Sequence, residues 1–176
     1  MTTMTVSINR APVLTLWATL VAERLGFDHE EALTLGKAVA GLNAQAKGRR
    51  LGIFKPHEEK VHKARAKEPG ETFLVEILGR TVPATNTEDG IRATIKGKPI
   101  SADGVERYLE GKFGDDLGRV QKVLQALAKA YKPKELAVAA YHLYEQFRPQ
   151  IPAGVRGWGA VGDLDLSLIE SMAKQR

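Results

Sequence analysis

The chain of 176 residues contains no cysteine, which excludes disulfides, thiol catalysis, Fe–S clusters and cysteine-ligated zinc together. Aromatic residues are sparse at 6%, and no apolar run approaches the ~18 residues of a membrane span, so no membrane partner is expected. The opening stretch MTTMTVSINRAP has neither a basic start nor a hydrophobic core, so a secretory signal is not expected and the expected location is the cytoplasm. P-loop, nucleophile-elbow and metal-ligand patterns are also missing, so no cofactor, metal or catalytic residue is assigned. What is present is ordinary for a globular protein: 43% apolar residues, 27% charged residues and a net charge of +5. A chain of this length buries roughly 70% of its unfolded surface.

Hydrophobic spacing divides the chain into three regions that together form one compact domain. Residues 1–68 read as an N-terminal helical region. Asn9 and Pro12 open a helix whose apolar positions Leu14, Trp17, Val21 and Leu25 recur at helical spacing, and Gly26 ends it. Asp28 and Glu31 form a capping-box pair that starts a second helix running to about Lys47. Residues 57–67 suggest a short, polar third helix. Within 69–100 the period changes to two: Phe73, Val75 and Ile77 alternate, then Ile91, Ala93 and Ile95, which predicts a two- or three-stranded antiparallel sheet. Residues 101–176 return to helical spacing. Ser101 is a cap, Leu117, Val120, Leu124 and Leu127 form a seam, and Pro133 begins a helix striped with Leu136, Ala140, Leu143 and Phe147. A Pro- and Gly-rich loop from Pro149 to Gly162 precedes a last short helix capped by Asp163 or Asp165. The expected class is therefore α+β and mainly α-helical: an N-terminal helical corner, a small antiparallel sheet and a C-terminal helical bundle.

Three motif-like strings fail on their chemistry. Gly157 to Gly162 spells G-x-G-x-x-G, but a dinucleotide site needs a preceding strand and a following βαβ unit, and too little chain remains. Trp158 and Val155 are better read as anchors of that loop. His57-Glu58 and His62 stand five residues apart, which turns the two imidazoles about 140° around a helix, so they cannot share a metal. The paired acids Glu30-Glu31 and Asp115-Asp116 sit at predicted helix starts, where the helix dipole accounts for them.

A ridge of small residues, Ala32, Gly36, Ala40, Ala44 and Gly48, falls every four residues along the second helix. Gly36 and Gly41 inside a helix each cost about 1 kcal/mol relative to alanine, and close approach of another helix is the natural compensation. The favoured reading of the ridge is intrachain packing, with a homodimer contact as the alternative.

The dominant feature is charge distribution. Residues 47–67 carry Lys47, Arg49, Arg50, Lys55, Lys60, Lys63, Arg65 and Lys67 against only Glu58 and Glu59, a local +6 that leaves the rest of the chain at −1. Lys96 and Lys98 flank a glycine at a predicted turn, with Arg80 and Arg92 near in sequence. Helices followed by a basic β-turn would present a winged-helix-like face able to attract a polyanion. A solvated lysine-rich face is the plain counter-reading.

Residues 18–37 (ATLVAERLGFDHEEALTLGK) also resemble a helix-turn-helix motif, with Ala22, Gly26, Val21, Leu25 and Leu35 at its packing positions. His29-Glu30-Glu31 stands where that motif's second helix would approach phosphate and bases, so the corner is read as packing. The wider pattern from INRAPVLTLWATLVAERLG to GWGAVGDLDL resembles a family of uncharacterised bacterial proteins, which implies bacterial origin and no particular activity. The functional expectation is a nucleic-acid-associated protein that binds phosphate non-specifically through the eight cations of 47–67, joined by Lys96 and Lys98. Its partner is nucleic acid or, failing that, an acidic protein. A protein-interaction module or homodimer is the first alternative, and an enzyme with a composite site is the second.

Overall fold

In the computed structural model the described residues are 5–48, 72–151 and 160–175, with the backbone alone for 44–48. They form six α-helices and two antiparallel sheets, and helical residues outnumber strand residues more than twofold. The chain is α+β and mainly helical.

Strand β1 (Thr5–Asn9) leads directly into α1 (Arg10–Arg24), followed by α2 (His29–Gly48). Asn9 sits at the N-cap of α1 but its side chain makes no capping bond. The turn to α2 is closed as the sequence predicts. The Glu31 side chain accepts from the Asp28 backbone N–H at 3.0 Å, and Asp28 accepts from the Glu31 N–H at 2.9 Å. Gly26 takes φ 111°, a left-handed value that a side chain rarely adopts.

The described part of the ridge on α2, Ala32, Gly36 and Ala40, is buried within the chain, while the burial of Ala44 and Gly48 lies outside what the structure describes. A Cβ at Gly36 would lie 2.5 Å from the Thr15 carbonyl oxygen and 2.9 Å from the Thr19 nitrogen, so α1 and α2 touch backbone to backbone there. Ala32 and Ala40 are buried beside it. Gly41 differs from the expectation: it is exposed, no atom stands within 4 Å of its would-be Cβ, and close packing does not account for it.

The main sheet has four strands in sequence order, one more than the most the sequence predicts: β2 (Thr72–Ile77), β3 (Arg80–Thr87), β4 (Gly90–Ile95) and β5 (Lys98–Pro99). Strand β3 was obscured by Pro83, which cannot donate to a ladder. Its pairing explains the tolerance: β3 meets β4 only from Ala84 onward, so Pro83 faces a single neighbour, with Leu74 opposite it. Leu78 and Gly79, and again Lys96 and Gly97, both take positive φ, the paired left-handed geometry of tight hairpin turns.

Helix α2 lies against this sheet and closes part of the edge of β4. The Ile91 N–H donates to the Glu31 carboxylate at 2.9 Å and the Ala93 N–H donates to the Thr34 hydroxyl at 3.0 Å, in place of a further strand. Glu31 is 2% exposed, so one carboxylate both caps the helix and satisfies a buried strand.

The C-terminal region is α3 (Ala102–Phe113), a 3₁₀ turn (Gly114–Asp116), α4 (Leu117–Lys129), α5 (Pro133–Phe147), β6 (Val161–Asp165) and α6 (Leu166–Lys174). Ser101 and Asp165 cap α3 and α6, accepting from the backbone N–H groups of Gly104 and Leu168. Trp17 ties α1 to α5 by donating from Nε1 to the Ala140 carbonyl at 3.0 Å, and its ring meets Phe147 edge-on at 5.3 Å. Strands β1 and β6 pair antiparallel from Thr5–Asp165 to Asn9–Val161, where the sequence predicts a loop and a cap. This second sheet joins the two ends of the chain, so the first and third regions are stitched together directly. No helix among the described residues is long and apolar enough to cross a membrane.

Candidate functional site

The ten cations expected to bind phosphate fall into three groups. Lys47 lies in the last turn of α2, where only the backbone is described. Arg49, Arg50, Lys55, Lys60, Lys63, Arg65 and Lys67 lie outside the described residues, as do Phe54, His57, His62, Val155 and Trp158. Lys96 and Lys98 are both exposed on either side of Gly97, at the tip joining β4 to β5.

The two arginines expected to support that tip do not join it. Arg92 is 7% exposed; one guanidinium nitrogen donates to the Ile91 carbonyl and another to Glu30 at 2.9 Å, an ion pair between β4 and the start of α2. Arg80 turns toward α2, where it donates to the Asn43 side-chain oxygen at 2.8 Å, and its guanidinium carbon stands 5.0 Å from the centre of the Tyr141 ring. The winged-helix-like face is thus reduced, among the described residues, to Lys96 and Lys98. His29, at the start of α2, is held by Glu23 at 2.6 Å. No group of three or more potential metal ligands occurs among the described residues.

Two constellations arise that sequence spacing alone did not reveal. The first is polar and lies around the end of α5. The hydroxyl of Tyr141 donates to the same Asn43 oxygen that receives Arg80, at 2.9 Å. The Tyr144 ring stands 5.8 Å from Tyr141 and 5.9 Å from Phe147, and its side chain is fully buried. Arg10, at the start of α1, donates from Nε to the Pro149 carbonyl at 3.0 Å. Burial first, and the neighbouring charge of Arg148 second, disfavour the Arg10 cation. Burial pushes the Tyr144 phenol well above its ordinary ionisation range, against the pull of Arg148 and Arg10. A similar but simpler effect operates at Tyr108, raised by burial, whose ring packs under the Lys37 ammonium at 3.7 Å. Burial and the charge of Lys112 lower Lys37.

The second constellation is an apolar groove of about 600 Å³ between the β2–β3 hairpin, the α1–α2 turn and α5. Leu25, Phe27, Val75, Leu78, Ala137 and Val138 supply its apolar walls, with Glu76 and Lys134 at its margin. Val138 is 87% exposed on an otherwise amphipathic helix. The residues of both constellations come from elements far apart in sequence, and only their helical or strand spacing was legible beforehand. Comparison with protein families, characterised proteins and solved structures gives no match.

Proposed function

We propose that the protein associates with nucleic acid, binding the phosphate backbone without base preference through Lys47, Arg49, Arg50, Lys55, Lys60, Lys63, Arg65 and Lys67, with Lys96 and Lys98 as an auxiliary contact. The observation that carries this reading is the charge distribution: eight cations against two carboxylates in about one eighth of the chain, while the remainder is nearly neutral. Exposure of Lys96 and Lys98 at a hairpin tip supports it, since two ammonium groups on an exposed turn reach a phosphate strand without unfolding anything. Sequence readout is not part of the proposal. The first turn of α2 carries Glu30 and Glu31, both engaged by β4, and phosphate contacts position a protein without specifying bases.

A different reading, a protein-interaction module, is favoured by the apolar groove beside α5 and the bare Val138 on its wall. Heparin chromatography combined with the 260/280 nm absorbance ratio of the purified protein separates the two. Nucleic-acid association predicts co-purifying nucleic acid and elution at high salt. An interaction module predicts a protein-like ratio and elution near the salt expected for a net charge of +5.

A further inference from the structure

The small sheet that joins the two ends of the chain has an open edge, and the register identifies the backbone groups on it. Asp163 and Gln150 each donate a backbone N–H to the other's carbonyl, both at 3.0 Å. In an antiparallel sheet the N–H and C=O of one residue point to the same side, so Asp163 turns both groups away from β1. Ser7, directly opposite Asp163, belongs to a non-hydrogen-bonded pair, and its own N–H and C=O point to the outer side of β1. The two-residue period directs Thr5 and Asn9 the same way, while Val6 and Ile8 form the ladder with Leu164 and Gly162. No strand covers the outer side of β1 among the described residues, and Ser7 is exposed.

Exposed strand edges invite pairing and are ordinarily blunted by shortness, lysine, proline or a bulge. Strand β5, at one edge of the main sheet, is blunted in this way: it is two residues long, Lys98 and Pro99. Gln150 occupies the outer side of β6. Strand β1 has none of these devices. Its five residues, Thr5-Val6-Ser7-Ile8-Asn9, carry neither charge nor proline, and they pair with β6 without a bulge. The strand is also self-complementary: reversed about Ser7, polar residues stand opposite polar ones, and Val6 stands opposite Ile8.

We propose that β1 pairs antiparallel with β1 of a second copy of this chain about a two-fold axis through Ser7, giving one four-stranded sheet in the order β6-β1-β1-β6. Ser7 and the partner's Ser7 each donate an N–H to the other's carbonyl, and the Asn9 N–H donates to the carbonyl of the partner's Thr5. The Asn9 carbonyl belongs to α1, whose N-cap it is. Its side chain makes no capping bond and stands opposite the partner's Thr5 on the polar face, where a cross-strand hydrogen bond forms. Val6 and Ile8 remain in the core of their own copy, so neither copy unfolds to make the contact. Such an interface is isologous, and pairing closes the edge that makes it, so assembly stops at the dimer. The contact uses neither the buried small residues of α2 nor any residue between 47 and 67.

The test is analytical ultracentrifugation of the full chain after nuclease treatment, in about 0.5 M salt, where bridging by a polyanion is screened. A reversible monomer–dimer equilibrium is expected in the micromolar range, because an interface of so few residues is small. Ser7→Lys sets like charges against each other at the axis and is expected to weaken the dimer about tenfold or more. Position 7 is exposed and faces Asp163 within the same copy, so circular dichroism and Tm should stay those of the parent. Ser7→Glu should also dissociate the dimer, and an equimolar mixture of the two variants should regain it by setting opposite charges at the axis. In the parent protein, hydrogen exchange of the Ser7 amide should slow as chain concentration rises through the dimerisation range. A parent that remains monomeric up to about 1 mM overturns the proposal, since even a millimolar contact is half formed there. It is equally overturned by a dimer that Ser7→Lys leaves intact, by a variant mixture that stays monomeric, or by oligomers that grow beyond two. Should Ser7→Lys fail to fold, Ser7 exchange in the parent decides alone: a rate independent of concentration overturns the pairing.

Discussion

Two glycines five residues apart on α2 offer a matched test of how the helices pack. Alanine is favoured over glycine inside a helix by about 1 kcal/mol, so Gly→Ala is stabilising wherever the new methyl group has room. At Gly41 no atom stands within 4 Å of the added carbon, and Gly41→Ala is expected to stabilise by about 0.5 to 1 kcal/mol. At Gly36 the added carbon would sit 2.5 Å from the Thr15 carbonyl oxygen, about 1 Å inside ordinary contact. The obstructing atoms include backbone, so no rotamer change relieves the overlap and α1 must move. Overpacking of this kind costs about 1 to 3 kcal/mol. The helix-propensity gain offsets part of it, leaving Gly36→Ala destabilised by about 1 to 2 kcal/mol and Gly36→Leu by more. Urea denaturation of the two alanine variants should therefore give midpoints on opposite sides of the parent. If Gly36→Ala is as stable as Gly41→Ala, the close approach of α1 and α2 is wrong.

Further substitutions test the seam between α2 and the sheet. Glu31→Ala removes the acceptor of the Ile91 N–H and half of the capping pair, and a loss of about 2 to 3 kcal/mol is expected by urea denaturation. Thr34→Val keeps the volume but leaves the Ala93 N–H without its acceptor; about 1 to 2 kcal/mol should be lost, with an unchanged circular dichroism spectrum. The buried phenol of Tyr144 predicts an alkaline effect. The folded state holds this proton to higher pH than the unfolded chain, so stability is intact below about pH 10 and falls as pH rises beyond it. Tyr144→Phe should flatten that part of the curve of urea midpoint against pH, and an identical slope in both proteins would refute the assignment.

The helices were legible because their signals are local. Asp28 with Glu31, Ser101, Asp165 and Pro133 mark their starts within three residues, and each performs the expected role or position in the fold. The β1–β6 pair was not legible for the opposite reason. Val6 and Ile8 do alternate with exposed or half-buried neighbours, and so do Gly162 and Leu164, but each run is only five residues long and its partner lies at the far end of the chain. Strand β3 was hidden by Pro83, whose placement beyond the β4 ladder is a tertiary fact. Of the candidate site, sequence displays the total charge but not its direction. Arg92 was spent on Glu30 and Arg80 on Asn43, and nothing in their spacing distinguishes them from Lys96 and Lys98 at the tip. The arginine–tyrosine cluster was invisible for the same reason: its members come from α1, β3 and the end of α5.

The central claim is tested most directly by fluorescence anisotropy of a labelled duplex titrated with the protein over a range of salt concentrations. Each phosphate neutralised contributes about −0.9 to the slope of log affinity against log salt on B-DNA, so four or five simultaneous contacts predict a slope near −4. Affinity should be micromolar or weaker at physiological salt and nearly the same for unrelated sequences. Charge reversal of Lys60, Lys63, Arg65 and Lys67 together should abolish it while circular dichroism stays that of the parent. Absence of binding to DNA or RNA even at about 50 mM salt, where backbone contacts are strongest, would contradict the account and leave the basic segment as a solvated face or a dock for an acidic protein.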